Sequence, residues 1–502
     1  ESNTTGEDNV GIGASALYAN TTSSYNTAVG NRALPVNTAA LNTAVGSLSM
    51  FSNTTGTENT AIGQASLYTN STGNYNTAVG RYALRLNSTG GENVAVGFES
   101  LEKCTGDYNT ALGAYAMEEN TSGAANVAIG HRALDANTTA SYNIAIGKHS
   151  LTSNTTGAGN VAVGRRALYT ATTASYNVAI GYNALYTANS EGNVAIGLEA
   201  LQVATGANNT AVGYQALAAD TTGANNTALG YHALNRTTTG SYNVAVGYEA
   251  LKDNTTAGTN TAIGYRASKS NTTGNYNVAV GYHALEENTT GVRNCAVGNN
   301  ALDDNTTGQD NTAVGGGALS ANTTASNNTA VGSNCLAGNT TATGCVAIGH
   351  DCMEASNANY NTGVGWEAMK SLSTGNYNTG LGVQALYGNT TGNYNTAVGN
   401  NALQTASTGD RNSGVGYQAL LNTTTGVGNC SLGHKAGRNT TTGSYNVAIG
   451  DQALESGTTG DKNVAIGGFA LHDSTTTENN VAIGYNAMGA STTASNSVAV
   501  GY

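Results

Sequence analysis

Proline is almost absent from this 502-residue sequence, which has one proline, Pro35, against 67 glycines. Disordered and low-complexity chains are usually rich in both residues. Paired β-strands, in contrast, need every backbone N–H and exclude proline. The combination therefore argues against a disordered linker and favours strands joined by many tight turns.

Charged residues and long apolar runs are also scarce. Asp, Glu, Lys and Arg make up 10% of the chain, and the net charge is −12, whereas ordinary domains contain roughly 25% charged residues. The basic residues form no cluster, so nucleic acids and anionic membranes are poor partners. No apolar run approaches the roughly 20 residues that span a bilayer, so we predict no membrane insertion.

Cysteines are too few for a disulfide scaffold, with six in 502 residues. Cys335 and Cys352 stand one repeat apart at the same repeat position, so they are expected to be neighbours. A disulfide and a pair of small buried thiols are both compatible with that spacing, and the thiols are favoured. No pattern connects the remaining four, Cys104, Cys295, Cys345 and Cys430.

A five-residue phrase, Asn-(Val/Thr)-Ala-(Val/Ile)-Gly, dominates what is present. It occurs thirty times at intervals of 16 or 17 residues, first at 9–13 and last at 497–501. A strict short period is typical of a solenoid, because helical repeats are usually longer than about 30 residues. We predict a single continuous repeat domain over residues 1–502. Its fold class is all-β, a parallel β-solenoid (β-roll) of about 30 coils with two short strands per coil.

Repeat positions are numbered from the asparagine, so that the phrase fills positions 1–5. Side chains alternate along a strand, so positions 2 and 4 share one face. We predict that the aliphatic residue at position 4 points inward and meets the leucine of position 9, and that the glycine of position 5 forms a corner with positive φ. Examples are Ile129, Ile180 and Val246 at position 4, Leu134, Leu185 and Leu251 at position 9, and Gly130, Gly181 and Gly247 at position 5.

Two other columns are nearly invariant. Position 1 is Asn in 28 of 30 copies, which predicts a ladder of side-chain amides or turn caps, with a ligand-binding column as the alternative. Position 3 is always Ala, Gly or Ser, for example Ala128, Ala179 and Ala245. We predict that this small column faces sister chains, because one thin coil buries little apolar surface against its ordering entropy. The alternative is a coil so narrow that alanine packs inside on both sides.

The phrases Asn-Ser-Val-Ala-Val-Gly at 496–501 and Asn-Val-Ala-Ile-Gly at 126–130, 193–197 and 463–467 resemble the head repeats of trimeric autotransporter adhesins. The longer unit at 389–399 is similar to repeat shafts of bacteriophage tail fibres. The resemblance implies a left-handed β-roll, a homotrimer, and an extracellular location on a virion fibre or cell surface. The adhesin unit is shorter than 17 residues, and no heptad stalk, membrane anchor or chaperone tip is present here. Because the chain begins in mid-repeat and ends just after a glycine corner, we expect a fragment of a longer fibre.

Aromatic and Asn-Thr-Thr columns suggest surface roles. Eleven tyrosines occupy position 17 and nine occupy position 6; they either bind glycans or shield the corners by stacking on one another. The Asn-Thr-Thr turns fit the N-glycosylation pattern, although turn preference alone explains them. The candidate glycan contacts are Tyr182, Tyr214, Tyr282 and Trp366, and the candidate glycosylation sites are Asn20, Asn53, Asn137, Asn254, Asn288 and Asn305.

Catalytic chemistry has little support. The seven histidines fall on variable positions 6, 7 or 10 without a partner at metal-ligand spacing. We therefore predict no enzyme activity, no metal and no cofactor. The expected function is a structural shaft of an extracellular fibre that acts as a rigid spacer. An adhesin that binds carbohydrate or a host surface through aromatic rows is one alternative. An ice-binding solenoid is another, although its turn threonines are adjacent and its position 4 is aliphatic.

Overall fold

A computed structural model describes residues 3–502 of the chain. Those residues form an all-β parallel solenoid that contains strands, turns and no helix. The chain divides into two compact units, Glu1–Val246 and Gly247–Tyr502, and each contains fifteen three-residue strands. The repeating coil is therefore confirmed in each unit, whereas the single continuous domain over residues 1–502 stays a prediction.

The strands are numbered in chain order. Those of the first unit are β1 (Val10–Ile12), β2 (Thr27–Val29), β3 (Thr43–Val45), β4 (Thr60–Ile62), β5 (Thr77–Val79), β6 (Val94–Val96), β7 (Thr110–Leu112), β8 (Val127–Ile129), β9 (Ile144–Ile146), β10 (Val161–Val163), β11 (Val178–Ile180), β12 (Thr187–Ala188), β13 (Val194–Ile196), β14 (Val203–Ala204), β15 (Thr210–Val212), β16 (Thr227–Leu229) and β17 (Val244–Val246). Those of the second unit are β18 (Thr261–Ile263), β19 (Val278–Val280), β20 (Cys295–Val297), β21 (Thr312–Val314), β22 (Thr329–Val331), β23 (Val346–Ile348), β24 (Thr362–Val364), β25 (Thr379–Leu381), β26 (Thr396–Val398), β27 (Ser413–Val415), β28 (Cys430–Leu432), β29 (Val447–Ile449), β30 (Val464–Ile466), β31 (Val481–Ile483) and β32 (Val498–Val500).

Successive strands pair in parallel with equal repeat positions opposite each other. In β8 and β9, for example, Ala128 lies opposite Ala145. The prediction of two strands per coil is wrong, because within residues 3–502 a second strand is found only in the coils of β12 and β14. Elsewhere the return path is a series of turns, which still bond to the next coil: the Leu134 N–H donates to the Ser150 carbonyl at 3.0 Å.

The strand face that points into the coil is the opposite of the one predicted. The position 3 alanines, Ala128, Ala179 and Ala245, are fully buried inside the coil, so they are not a surface column facing sister chains. The predicted core residues of position 4 lie outside: Ile180 is 37% exposed, and Ile129 and Val246 are half-buried.

Volume explains the reversal. Four coils carry glycine at position 3, and two of them show how little space the interior offers. A Cβ on Gly380 would lie 3.1 Å from the Met369 side chain, and one on Gly414 would lie 3.4 Å from the Leu403 side chain. A methyl group fills this space, and a branched aliphatic side chain would overpack it.

The predicted leucine column is confirmed. Leu134, Leu185 and Leu251 are fully buried at position 9, beside the equally buried position 8 alanines. A typical coil therefore closes on a core of two alanines and one leucine, flanked by polar asparagines. Such a thin core leaves the β-branched strand residues with no place except the outer surface.

The corner glycines are also confirmed. Gly130, Gly181 and Gly247 have φ of 130°, 139° and 136°. A Cβ on Gly130 would lie 2.8 Å from the backbone of the next corner glycine, Gly147. Glycine is thus required both by its φ and by the close stacking of corners.

Left-handed backbone is more widespread than these glycines. In the coil after β8, Arg132, Leu134 and Tyr142 have φ of 54°, 54° and 63°, and positions 7, 9 and 17 repeat this conformation along the chain. A non-glycine residue in this region costs roughly 1–2 kcal/mol. Packing and inter-coil hydrogen bonds must offset that cost in every coil.

Candidate functional surfaces

The outward side chains of positions 2 and 4 form what we call the strand face. Position 2 is Thr or a small or β-branched residue, position 4 is Val, Ile or Leu, and no copy carries a charge at either position. Ile62, Leu112 and Ile263 are examples of exposed position 4 residues. Because successive coils are in register, each unit presents two parallel columns of uncharged side chains.

A ladder of position 1 asparagines runs beside the strands. The Asn143 backbone N–H donates to the Asn126 Oδ1 at 2.9 Å, and the Asn143 Nδ2 donates to the Gly157 carbonyl at 3.0 Å. Each side chain thus satisfies one backbone donor and one backbone acceptor. The predicted ladder is confirmed, and these buried amides serve the coil.

A second ladder occupies position 12, where the asparagines of the Asn-Thr-Thr turns lie. The Asn137 Nδ2 donates to the Asn120 Oδ1 at 2.7 Å and to the Ala140 carbonyl at 3.0 Å. The six predicted glycosylation sites, Asn20, Asn53, Asn137, Asn254, Asn288 and Asn305, are all buried in this column. The glycosylation prediction is wrong for the folded coil, because the nitrogen that would carry the glycan points inward.

Several aromatic residues of positions 6 and 17 stack on one another. The rings of Tyr265 and Tyr282 are 5.3 Å apart with planes 12° apart, and those of Tyr377 and Tyr394 are 5.2 Å and 3° apart. A stacked neighbour covers a ring face that a sugar would need. The corner-shielding alternative thus has direct support in these stacks.

The four candidate glycan contacts differ in how they are covered. Tyr214 stacks on Tyr231 at 5.1 Å, Tyr282 stacks on Tyr265, and the Arg165 guanidinium lies 5.7 Å from the Tyr182 ring centroid. Trp366 is 49% exposed. Glycan binding by these residues stays a prediction.

The buried cysteines occupy defined columns of the repeat. Cys335 and Cys352 are free, buried thiols, and their mutual contact together with burial raises the pKa of Cys335. Cys104 replaces asparagine at position 12 and accepts the Asn120 Nδ2 at 3.2 Å, and burial raises its pKa to about 11. Cys345 replaces asparagine at position 1. The repeat positions of Cys104 and Cys345 were the sequence signal that could have predicted their burial in the asparagine columns.

Two side-chain groups in the described part of the chain, residues 3–502, could hold a metal ion, although spacing along the chain did not predict them. One is His283, Glu286 and Asp303, and the other is Glu99, Glu102 and Glu118; in each, the potential ligand atoms lie within 4.8 Å of one another. The His283 Nδ1 is 2.8 Å from the Glu286 Oε2. Arg266 and Lys269 also approach the same carboxylate, at 3.8 and 3.9 Å, so its charge is already compensated.

Comparison with protein-family models gives no match, and comparison with curated proteins gives none either. Within residues 3–502, no helix has the length and apolarity to cross a membrane. The strand face, the two ladders and the aromatic stacks are therefore the features on which a function is proposed.

Proposed function

We propose that the chain is the structural shaft of an extracellular fibre, of the kind found in phage tail fibres or surface adhesins, and that it acts as a rigid spacer. The observation that carries this proposal is the uniformity of the coil. The same three-residue strand, buried alanine and leucine, and asparagine ladder recur in both units. Repetition of one buried unit extends a structure without creating a specialised cleft.

We further propose that the shaft is a left-handed homotrimer, as the resemblance to trimeric adhesin heads implies, and that the strand face is its interface. Fifteen coils at about 4.8 Å each give a strip about 70 Å long in one unit. At a width of about 10 Å, the strip covers about 700 Å², close to the roughly 800 Å² per partner of a standard interface. Its lack of charge also favours burial.

Light scattering after size-exclusion chromatography tests this assembly. The wild-type chain should have three times the 50.3 kDa mass of one chain. The double variant Ile129→Glu/Ile146→Glu should be monomeric, because it would bury charges in the interface. A matched control, His131→Glu/Ser153→Glu, adds the same charges outside the strand face and should stay trimeric. A wild-type monomer at micromolar concentration would refute the trimer.

Ice binding is a second candidate function, favoured by one observation. The structure places positions 2 and 4 on the same outer face, and in thirteen coils they read Thr-x-(Val/Ile/Leu). An ordered, uncharged threonine and aliphatic array is thus exposed in the free chain. Thermal hysteresis in the wild type, lost in Thr60→Lys/Thr77→Lys, would support this function, and absence of hysteresis would remove it.

A further inference from the structure

The first coils contain a groove where a column of aromatic rings is interrupted. At position 10, successive coils carry Tyr18, Pro35, Phe51 and Tyr68. The rings of Phe51 and Tyr68 stack at 5.1 Å with planes 7° apart. Pro35 supplies no aromatic ring between Tyr18 and Phe51, and a groove of about 510 Å³ lined by these residues and Val36 lies there.

The spacing of the groove suits one puckered ring. The Ala19 N–H donates to the Pro35 carbonyl at 2.8 Å, so the coils are in contact here. Tyr18 and Phe51 are two coils apart, which corresponds to about 9.6 Å. A planar ring in contact with two aromatic faces needs about 7–8 Å. The extra space accommodates a saturated chair, and 61% of Tyr18 is exposed to receive it.

One cation lines the groove. Arg32 is the only charged residue from residue 9 to residue 57, in a chain whose net charge is −12. Among residues 3–502, no ion pair or side-chain hydrogen bond involves Arg32. Arg85, in a neighbouring groove, is instead paired with Glu102 at 2.6 Å. A guanidinium without a carboxylate partner in uncharged surroundings is complementary to an anionic ligand.

We propose that this groove binds a pyranose that carries a carboxylate, as uronic and sialic acids do. The sugar ring lies between Tyr18 and Phe51 over Pro35, and its carboxylate pairs with Arg32. Aromatic rings provide the apolar contact, and the guanidinium provides the selectivity for acidic over neutral sugars. The proposal does not depend on the shaft or the trimer, since every residue comes from one chain.

Isothermal titration with methyl glucuronide, methyl N-acetylneuraminide and neutral methyl glucoside tests the site. At least one acidic glycoside should bind at least ten-fold more tightly than the glucoside. Arg32→Gln should remove that preference, and Phe51→Leu should weaken binding to both classes. A matched control, Arg165→Gln, removes an exposed arginine near another tyrosine ring and should leave binding unchanged.

The variant Pro35→Tyr distinguishes loss of binding through filling of the groove from loss of binding through unfolding. A tyrosine at this position should complete the ring column and fill the gap, so binding should disappear while the circular dichroism spectrum stays that of the wild type. Absence of binding of all three glycosides at 10 mM would overturn the proposal. So would binding that survives both Arg32→Gln and Pro35→Tyr, or an acidic peptide that binds the same groove more tightly than every acidic glycoside.

Discussion

The two asparagine columns differ in how much substitution they tolerate. Position 1 is Asn in every coil except those with Cys345 and Ser497. Position 12 also contains Ala, Ser, Thr, Leu, Gly, Cys and Asp, as at Ala188, Leu372 and Asp220. Both columns are buried and both form amide ladders, so burial alone does not explain the difference.

The hydrogen-bond partners explain it. A position 1 side chain accepts from the backbone N–H that precedes the next strand, as Asn143 does for Asn160 at 2.9 Å. A position 12 side chain mainly closes its own turn, as Asn154 does by donating to the Gly157 carbonyl at 2.9 Å. Loss of a position 1 side chain leaves a buried backbone donor of the next coil unpaired. Loss of a position 12 side chain costs less, because apolar packing can close that turn instead.

Asp220, in the more tolerant position 12 column, is expected to have the largest effect on the stability of the fold. Its neighbours in the column are Ala204 and Thr237, its Oδ1 accepts the Gly223 N–H at 2.8 Å, and its Oδ2 is buried without a partner. Burial raises the pKa of Asp220 to about 7 from 3.8. The folded chain therefore keeps a proton that the unfolded chain releases between pH 4 and pH 7, and stability should fall as pH rises through that window.

Asp220→Asn should remove this pH dependence. The variant should be more stable than the wild type by up to about 4 kcal/mol above pH 7, with little difference below pH 4. Urea unfolding of both proteins at pH 4, 6 and 8 measures the difference. The converse variant, Asn137→Asp, should introduce the same penalty. Equal wild-type and Asp220→Asn stability at pH 8 would contradict a buried, destabilising carboxylate.

Two alanine variants in one region test directly whether the two columns differ in energy. Asn143→Ala removes the acceptor of the Asn160 N–H and should cost about 3 kcal/mol, whereas Asn154→Ala should cost about 1 kcal/mol. Hydrogen exchange of the Asn160 amide should accelerate strongly in the first variant and little in the second. Similar losses of protection would show that the columns are energetically equivalent.

Different physical signals account for what the sequence could and could not predict. The short period predicted the stacked coils, and the corner glycines stay stacked even where the interval is 16 residues, as at Gly97 and Gly113. The greater hydrophobicity of Ile129 predicted that it points inward and that Ala128 points outward. Alternation along a strand allows either face to point inward, and the narrow interior accommodates only the smaller side chain. The sequence pattern also did not predict the groove at Arg32, since the groove depends on rings two coils apart rather than on a repeated motif.

The smallest expected effect concerns the cysteines that stand in the two columns. Cys345 takes over both side-chain contacts of a position 1 asparagine: its Sγ donates to the Ala358 carbonyl at 3.0 Å, and the Asn361 backbone N–H bonds to the thiol. A thiol is a weaker donor and acceptor than an amide. Cys345→Asn should therefore stabilise the fold by about 1 kcal/mol.

Cys104→Asn is the matched change at position 12, between Asn87 and Asn120, and should give a smaller gain because only a turn is affected. Urea unfolding at pH 7 with a reductant ranks the two variants, and hydrogen exchange of the Asn361 amide locates the effect of the first. If Cys104→Asn stabilised the chain more than Cys345→Asn, the position 12 ladder would be the stronger one. The tolerance of that column would then need a cause other than its hydrogen bonds, such as the space available beside the leucines.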